Sequence, residues 1–164
     1  MKFDSILFDM DWVLVDSFEW HFNALEKAMQ DFWFTLTLEE FKQYEWLSTM
    51  DKIKCLSNIK SIPQNLFDSI NKKKQKYTQE NIDEWCKINS EKLFMFQNIK
   101  KLGLKTACCS SSKKESVINI LTKLWIIDYF DLIISSDDVQ QQKPNPHIYL
   151  KAMELLWTSS EKCI

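Results

Sequence analysis

The chain has 164 residues, of which 45% are hydrophobic, 13% aromatic and 27% charged, with a formal net charge of −2. That length fits one ordinary domain, or one carrying a small insertion, and the composition excludes disordered and collagen-like chains. The near-neutral balance gives no electrostatic case for nucleic-acid binding, and no apolar run reaches the roughly 18 residues of a membrane span.

Acids interrupt the apolar N-terminus (MKFDSILFDMD), so a signal peptide is not expected. All basic residues are Lys. The five cysteines (Cys55, Cys86, Cys108, Cys109 and Cys163) form no CxxC pair, and reduced thiols in a cytoplasmic protein are expected.

In chain order, residues 3–8 (FDSILF) read as a short buried strand ending in acids. Residues 17–90 hold no convincing strand, and helices are expected over about 18–32, 38–44, 49–60, 64–80 and 82–93. The Lys72–Lys76 run is expected to be a solvated helix face. A second strand is expected over 104–109 (LKTACC) and a third over 130–135 (FDLIIS). Each ends in small polar or acidic residues, Ser110-Ser111-Ser112 and Ser136-Asp137-Asp138. Residues 114–124 and 146–156 carry apolar residues at helical spacing, with Pro146 near the start of the latter. Strand and helix alternate, so the class is α/β with a Rossmann-like parallel sheet core. The expected division is a core of residues 1–16 and 94–164, with 17–93 inserted as an α-helical cap.

Ligands of parallel sheets bind at the carboxyl ends of the strands. The first strand end offers Asp9 and Asp11, which point the same way in extended backbone. Two such charges repel unless a shared proton or a cation relieves them, and a hard ion such as Mg²⁺ would do so through oxygen ligands. The second end offers Ser110, and the third leads to Lys143. Together these residues suit a phosphoryl group. Read singly, the same residues are ordinary turns and helix caps.

The segment Asp9-Met10-Asp11-Trp12-Val13-Leu14-Val15-Asp16-Ser17 resembles the DxDG(T/V)xxDS signature of the haloacid dehalogenase superfamily. Cys109-Ser110-Ser111-Ser112 resembles its second motif and Lys143-Pro144-Asn145-Pro146 its KPxP motif. Phe130-Asp131 and Tyr149-Leu150-Lys151-Ala152 also fit, and the helical block lies where the β-phosphoglucomutase-like and phosphatase branch carries its cap. The resemblance implies Asp9 as nucleophile and Asp11 as general acid/base. It implies Ser110 as a hydrogen-bond donor to the phosphoryl group and Lys143 as its charge partner. Mg²⁺ would be held by the Asp9 carboxylate and the Asp11 main-chain oxygen. His21 falls near the hinge, where it would sense substrate or simply pack in a helix. Ser48 and Thr49 of the cap, with Ser111 of the second motif, complete the expected substrate contacts. The implied function is a Mg²⁺-dependent phosphatase acting, as a monomer, on a small phosphorylated metabolite. The alternatives are a phosphosugar mutase, disfavoured because the cap has no Arg for a second phosphate, and a catalytically inactive binding module.

Two departures from the family pattern stand out. The acidic pair of the fourth motif has no counterpart, and Glu161-Lys162-Cys163-Ile164 is expected to begin the strand that would carry it. The expectation is therefore a C-terminally truncated, weakly active and poorly stable chain. Glycine occurs once against 7 Trp, far below the usual 7% or so. Trp12, Trp33, Trp46, Trp125 and Trp157 stand where the resemblance calls for glycine, whereas Trp20 and Trp85 do not. The pattern fits a gene whose UGA codons specify glycine but were translated as tryptophan. The alternative is genuine tryptophans in a diverged relative.

Overall fold

A computed structural model describes residues 2–45 and 47–164. The chain divides into two compact units, Met1–Asp16 with Cys86–Ile164, and Ser17–Trp85. Residues 86–93, read from sequence as the end of the helical block, group with the sheet.

The sheet unit is built on three parallel strands, β1 (Ser5–Phe8), β2 (Lys105–Cys109) and β3 (Leu132–Ile134), in the order β1-β2-β3. β2 is central, and its small residues Thr106, Ala107, Cys108 and Cys109 are all buried. That explains a strand written without a long aliphatic side chain: both faces are covered. Outside β1, the Ile164 N–H donates to the Ser5 carbonyl at 3.1 Å, and the Ser5–Cys163 bridge is parallel. The sheet register thus continues into the last residues.

Three helices complete this unit: α5 (Ser90–Lys101), α6 (Lys114–Lys123) and α7 (His147–Leu156). On one sheet face, Ile148, Ala152 and Leu156 of α7 cluster with Ala107, Cys109 and Ile134, and Leu7 packs against them. Phe8 is an aromatic centre instead, with ring centroids 5.1 Å from Phe96 and 6.0 Å from Phe130.

The helical unit contains α1 (Phe18–Gln30), α2 (Leu38–Gln43), α3 (Thr49–Lys60) and α4 (Phe67–Trp85). Thr37 opens α2 with a reciprocal capping box to Glu40, which explains its sharp start. Ala24, Leu25, Ala28 and Met29 of α1 meet Ile53, Leu56, Ile70 and Tyr77 in one apolar core.

Two helix boundaries differ from the sequence reading. α4 runs unbroken to Trp85, because buried Ile82 extends the stripe of Ile70, Tyr77 and Thr78. The next helix starts at Ser90, where the Asn89 side chain accepts from the Lys92 N–H, and it runs on to Lys101. The lysine run is not uniformly solvated either. Lys74 is buried, with its Nζ 3.2 Å from His21 Nδ1. A helix turns 100° per residue, so five consecutive positions cannot share one face.

Candidate active site

β1 ends at Phe8 and the chain leaves as Asp9-Met10-Asp11. Met10 and Leu14 are buried and fasten this loop to the core. The Met10 carbonyl accepts from the N–H groups of Leu14 at 2.8 Å and Val15 at 3.1 Å. The Trp12 N–H donates to the Val15 carbonyl at 2.7 Å, with Trp12 at φ 69°. The loop therefore doubles back within a few residues and leaves Asp9 and Asp11 half-buried on either side of the methionine anchor.

The other two strand ends supply partners for both acids. Lys143 lies in the loop after β3, next to a cis peptide bond to Pro144. Its Nζ is 2.8 Å from Asp9 Oδ2, donates to the Cys109 carbonyl at 3.0 Å and stands 4.9 Å from the centre of the Tyr149 ring. The second oxygen of Asp9 accepts from the Met10 N–H at 2.7 Å. Beyond β2, Ser110 is fully buried; its N–H donates to the Ile134 carbonyl, and its Oγ accepts from the Ser112 N–H at 3.0 Å. The Ser112 hydroxyl donates to Asp11 Oδ2 at 3.3 Å. Of the four residues chosen from sequence, Asp9 is thus paired with Lys143, and Asp11 is joined to Ser110 through Ser112.

Burial alone would lower the Lys143 ammonium, but its hydrogen bonds with Asp9 and Tyr149 reverse this and hold it above the ordinary lysine value. The neighbouring Cys109 thiol behaves oppositely: burial pushes it up to about 12, despite the nearby lysine. Cys108, with burial again the main cause, is raised further. Neither thiol is a nucleophile near neutral pH.

Asp137 and Asp138, on the third strand end, are engaged elsewhere. Asp138 accepts from the Ser135 N–H and hydroxyl and from Lys114, and Asp137 accepts from Lys113 Nζ and the Lys114 N–H. Among the described residues no three His, Cys, Asp or Glu side chains converge as a metal cluster. The donors beside β1 are nevertheless hard oxygens, and two carboxylates suit Mg²⁺, which keeps several waters and shares its remaining positions with substrate phosphate.

Of the remaining expected site residues, Ser111 is exposed on the β2 tip. His21, Ser48 and Thr49 belong to the helical unit. Ser48 caps α3, accepting from the Asp51 N–H and donating to its carboxylate at 2.7 Å; Thr49 is the first residue of that helix. Two partners were not singled out from sequence. Ser112 was one hydroxyl in a row of three, and only its position two residues beyond Ser110 marks it. Tyr149 was the aromatic following the KPxP segment by three residues.

Parallel strands ending in paired acids, a buried hydroxyl and a lysine place the sheet unit among Rossmann-like α/β domains with chemistry on their C-terminal strand ends. The chain belongs to the haloacid dehalogenase-like hydrolase family, whose pattern it matches over residues 6–164. It is 24% identical over 161 residues to a phosphorylated carbohydrates phosphatase of Thermotoga maritima, covering 98% of this chain and 74% of that one. It is 29% identical over 160 residues to a phosphoglycolate phosphatase of Aquifex aeolicus, covering 97% and 73%. Among solved structures, CbbY from Rhodobacter sphaeroides in complex with xylulose-(1,5)bisphosphate shares the fold with a TM-score of 0.87 at 19% identity, covering 99% of this chain and 76% of that one. The β-phosphoglucomutase of Clostridium difficile does so with a TM-score of 0.81 at 24% identity, covering 98% and 74%.

Proposed function

We propose that this chain is a cytoplasmic, Mg²⁺-dependent phosphomonoester hydrolase acting on a small phosphorylated metabolite. The observation that carries the reading is the contact of Asp9 with Lys143 at the strand ends, beside Asp11 and Ser110. The two relatives named for phosphatase activity support the reaction class, and the sugar bisphosphate bound by the structural neighbour supports the substrate class.

In this reading Asp9 attacks phosphorus with a carboxylate lone pair and becomes an aspartyl-phosphate. The leaving alkoxide takes a proton from Asp11, which then accepts one from the water that opens the acyl-phosphate. Ser112, donating to Asp11, holds that carboxyl in place. Lys143 balances charge on the phosphoryl oxygens, and Ser110 turns its hydroxyl toward the group. Bound Mg²⁺, held by the Asp9 carboxylate and the Asp11 carbonyl, would supply further neutralisation of that charge. His21, Ser48, Thr49 and Ser111 are the proposed substrate contacts. Inorganic phosphate release across a panel of sugar phosphates and phosphoglycolate, with Asp9→Asn as control, tests the proposal. Isomer formation without phosphate release would move the assignment to a phosphosugar mutase. Absence of any Mg²⁺-dependent turnover would move it to a binding module.

A further inference from the structure

The backbone contains six described residues at positive φ, and four of them are tryptophan: Trp12 (69°), Trp33 (67°), Trp125 (60°) and Trp157 (54°). The others are Ser61 and the single glycine, Gly103. A bulky side chain is an outlier there, because its Cβ meets the backbone. At a few per cent per residue, four of the six described tryptophans adopting positive φ by chance is on the order of 10⁻⁵.

Three of the four share one local geometry. The N–H of Trp33 donates to Gln30 and that of Phe34 to Met29, and the same pair of bonds recurs from Trp125 to Thr122 and Ile126 to Leu121. It recurs again from Trp157 to Glu154 and Thr158 to Met153. This is the Schellman helix ending, whose left-handed position is usually glycine. Gly103 ends α5 with the corresponding bond to Lys100. The indoles stand largely in solvent. Trp33 is 96% exposed, Trp157 89%, Trp125 65% and Trp12 57%, whereas helical Trp20 is 8% exposed. Tryptophan's large apolar surface is ordinarily drawn inside or into an interface.

We propose that positions 12, 33, 125 and 157 are glycine in the working protein, and that the source gene encodes them with UGA read as glycine. Position 46 lies outside the described residues, and the same reading extends to it from the sequence alone. At position 12 the consequence is local to the site, because the loop holding Asp9 and Asp11 then carries no indole.

The decisive measurement is the source gene together with tryptic peptides of the protein isolated from its own cells. UGA codons with glycine in the peptides are expected at all four positions, with UGG at Trp20 and Trp85. A UGG codon at even one of the four, or tryptophan in those peptides, overturns the proposal. A second readout uses the purified full chain. Trp33→Gly, Trp125→Gly and Trp157→Gly should each raise Tm by about 2–4 °C, while Trp20→Gly, inside a helix, should lower it. No rise in any of the three would overturn the proposal as well. None of these readouts depends on phosphatase activity.

Discussion

Asp9 and Lys143 are 134 positions apart in the chain, yet Oδ2 and Nζ lie 2.8 Å apart, and the same ammonium reaches the Cys109 carbonyl. One lysine thus ties the ends of β1 and β2 to the loop that follows β3. Removing it leaves Asp9 without its cation partner. Lys143→Ala should reduce kcat by about 10²–10³-fold, as loss of one preorganised charge partner typically does. Asp9→Asn should abolish phosphate release altogether. Both are read by steady-state phosphate release, with circular dichroism confirming that each variant folds. Wild-type turnover in Asp9→Asn would remove the nucleophile from the proposal.

Tyr149 separates orientation of that lysine from its charge. Its ring lies 4.9 Å from Nζ. Tyr149→Phe keeps the ring face and loses the hydroxyl, while Tyr149→Leu loses both. A cation–π contact is worth roughly 0.5–2 kcal/mol, so the leucine variant should lose about 2- to 30-fold in kcat. The phenylalanine variant should lose less, with KM little changed in either. Equal loss in both would assign the effect to the hydroxyl alone.

Ser112 has a comparable test. Its hydroxyl is 3.3 Å from Asp11 Oδ2, a long bond that adds modest support. Ser112→Ala should lower kcat by about tenfold or less with KM little changed, because Asp11 loses the hydroxyl that holds its carboxyl in place. An unchanged kcat would show that Ser112 does not hold the acid.

The α/β class and the strand positions were legible because each rests on local pattern, and the polar strand ends pointed to Asp9, Asp11, Ser110 and Lys143 as candidates. Apolar runs mark β1 to β3, and polar residues mark their ends. Ser112 and Tyr149 were harder to see, since their importance comes from which side chain they meet across the fold. The continuity of α4 was missed for a similar reason: residues 82–85 read as the start of the next helix, and only the buried stripe of Ile70, Tyr77 and Ile82 joins them to α4. Lys74 shows the opposite error, a charge whose composition hides its burial. Positions 12, 33, 125 and 157 were marked from the resemblance as places where glycine is expected, and the backbone there is at positive φ.

Phe96 should carry much of the sheet unit's stability. It is fully buried, 4.9 Å from the Phe130 ring, 5.1 Å from Phe8 and 6.0 Å from Tyr129. Phe96→Ala removes a whole aromatic side chain from a packed site and should cost about 3–5 kcal/mol. The check is the urea unfolding midpoint at unchanged slope. A loss under about 1 kcal/mol would mean that the cluster collapses around the gap or is not packed as described.

The pH dependence of stability follows from the carboxylates. Hydrogen bonds from Lys73 and Tyr77 hold Asp31 below its ordinary value, and those from Lys113 and the Lys114 N–H do the same for Asp137. Lys60 and Thr37 lower Glu40. A carboxylate lowered by folding stabilises the native state above its unfolded pKa, and that contribution is lost as pH falls through the folded value. Lys143 has the opposite sign. Raised in the folded state, it contributes below the unfolded lysine pKa of 10.5, and this is lost at higher pH. The urea midpoint should therefore stay flat between about pH 5.5 and 8, fall below about pH 4.5, and fall again above about pH 9, where the unfolded chain ionises cysteines that Cys108 and Cys109 keep as thiols in the fold. Asp137→Asn should flatten part of the acid limb without moving the alkaline one. A decline already present near pH 6 would contradict this account.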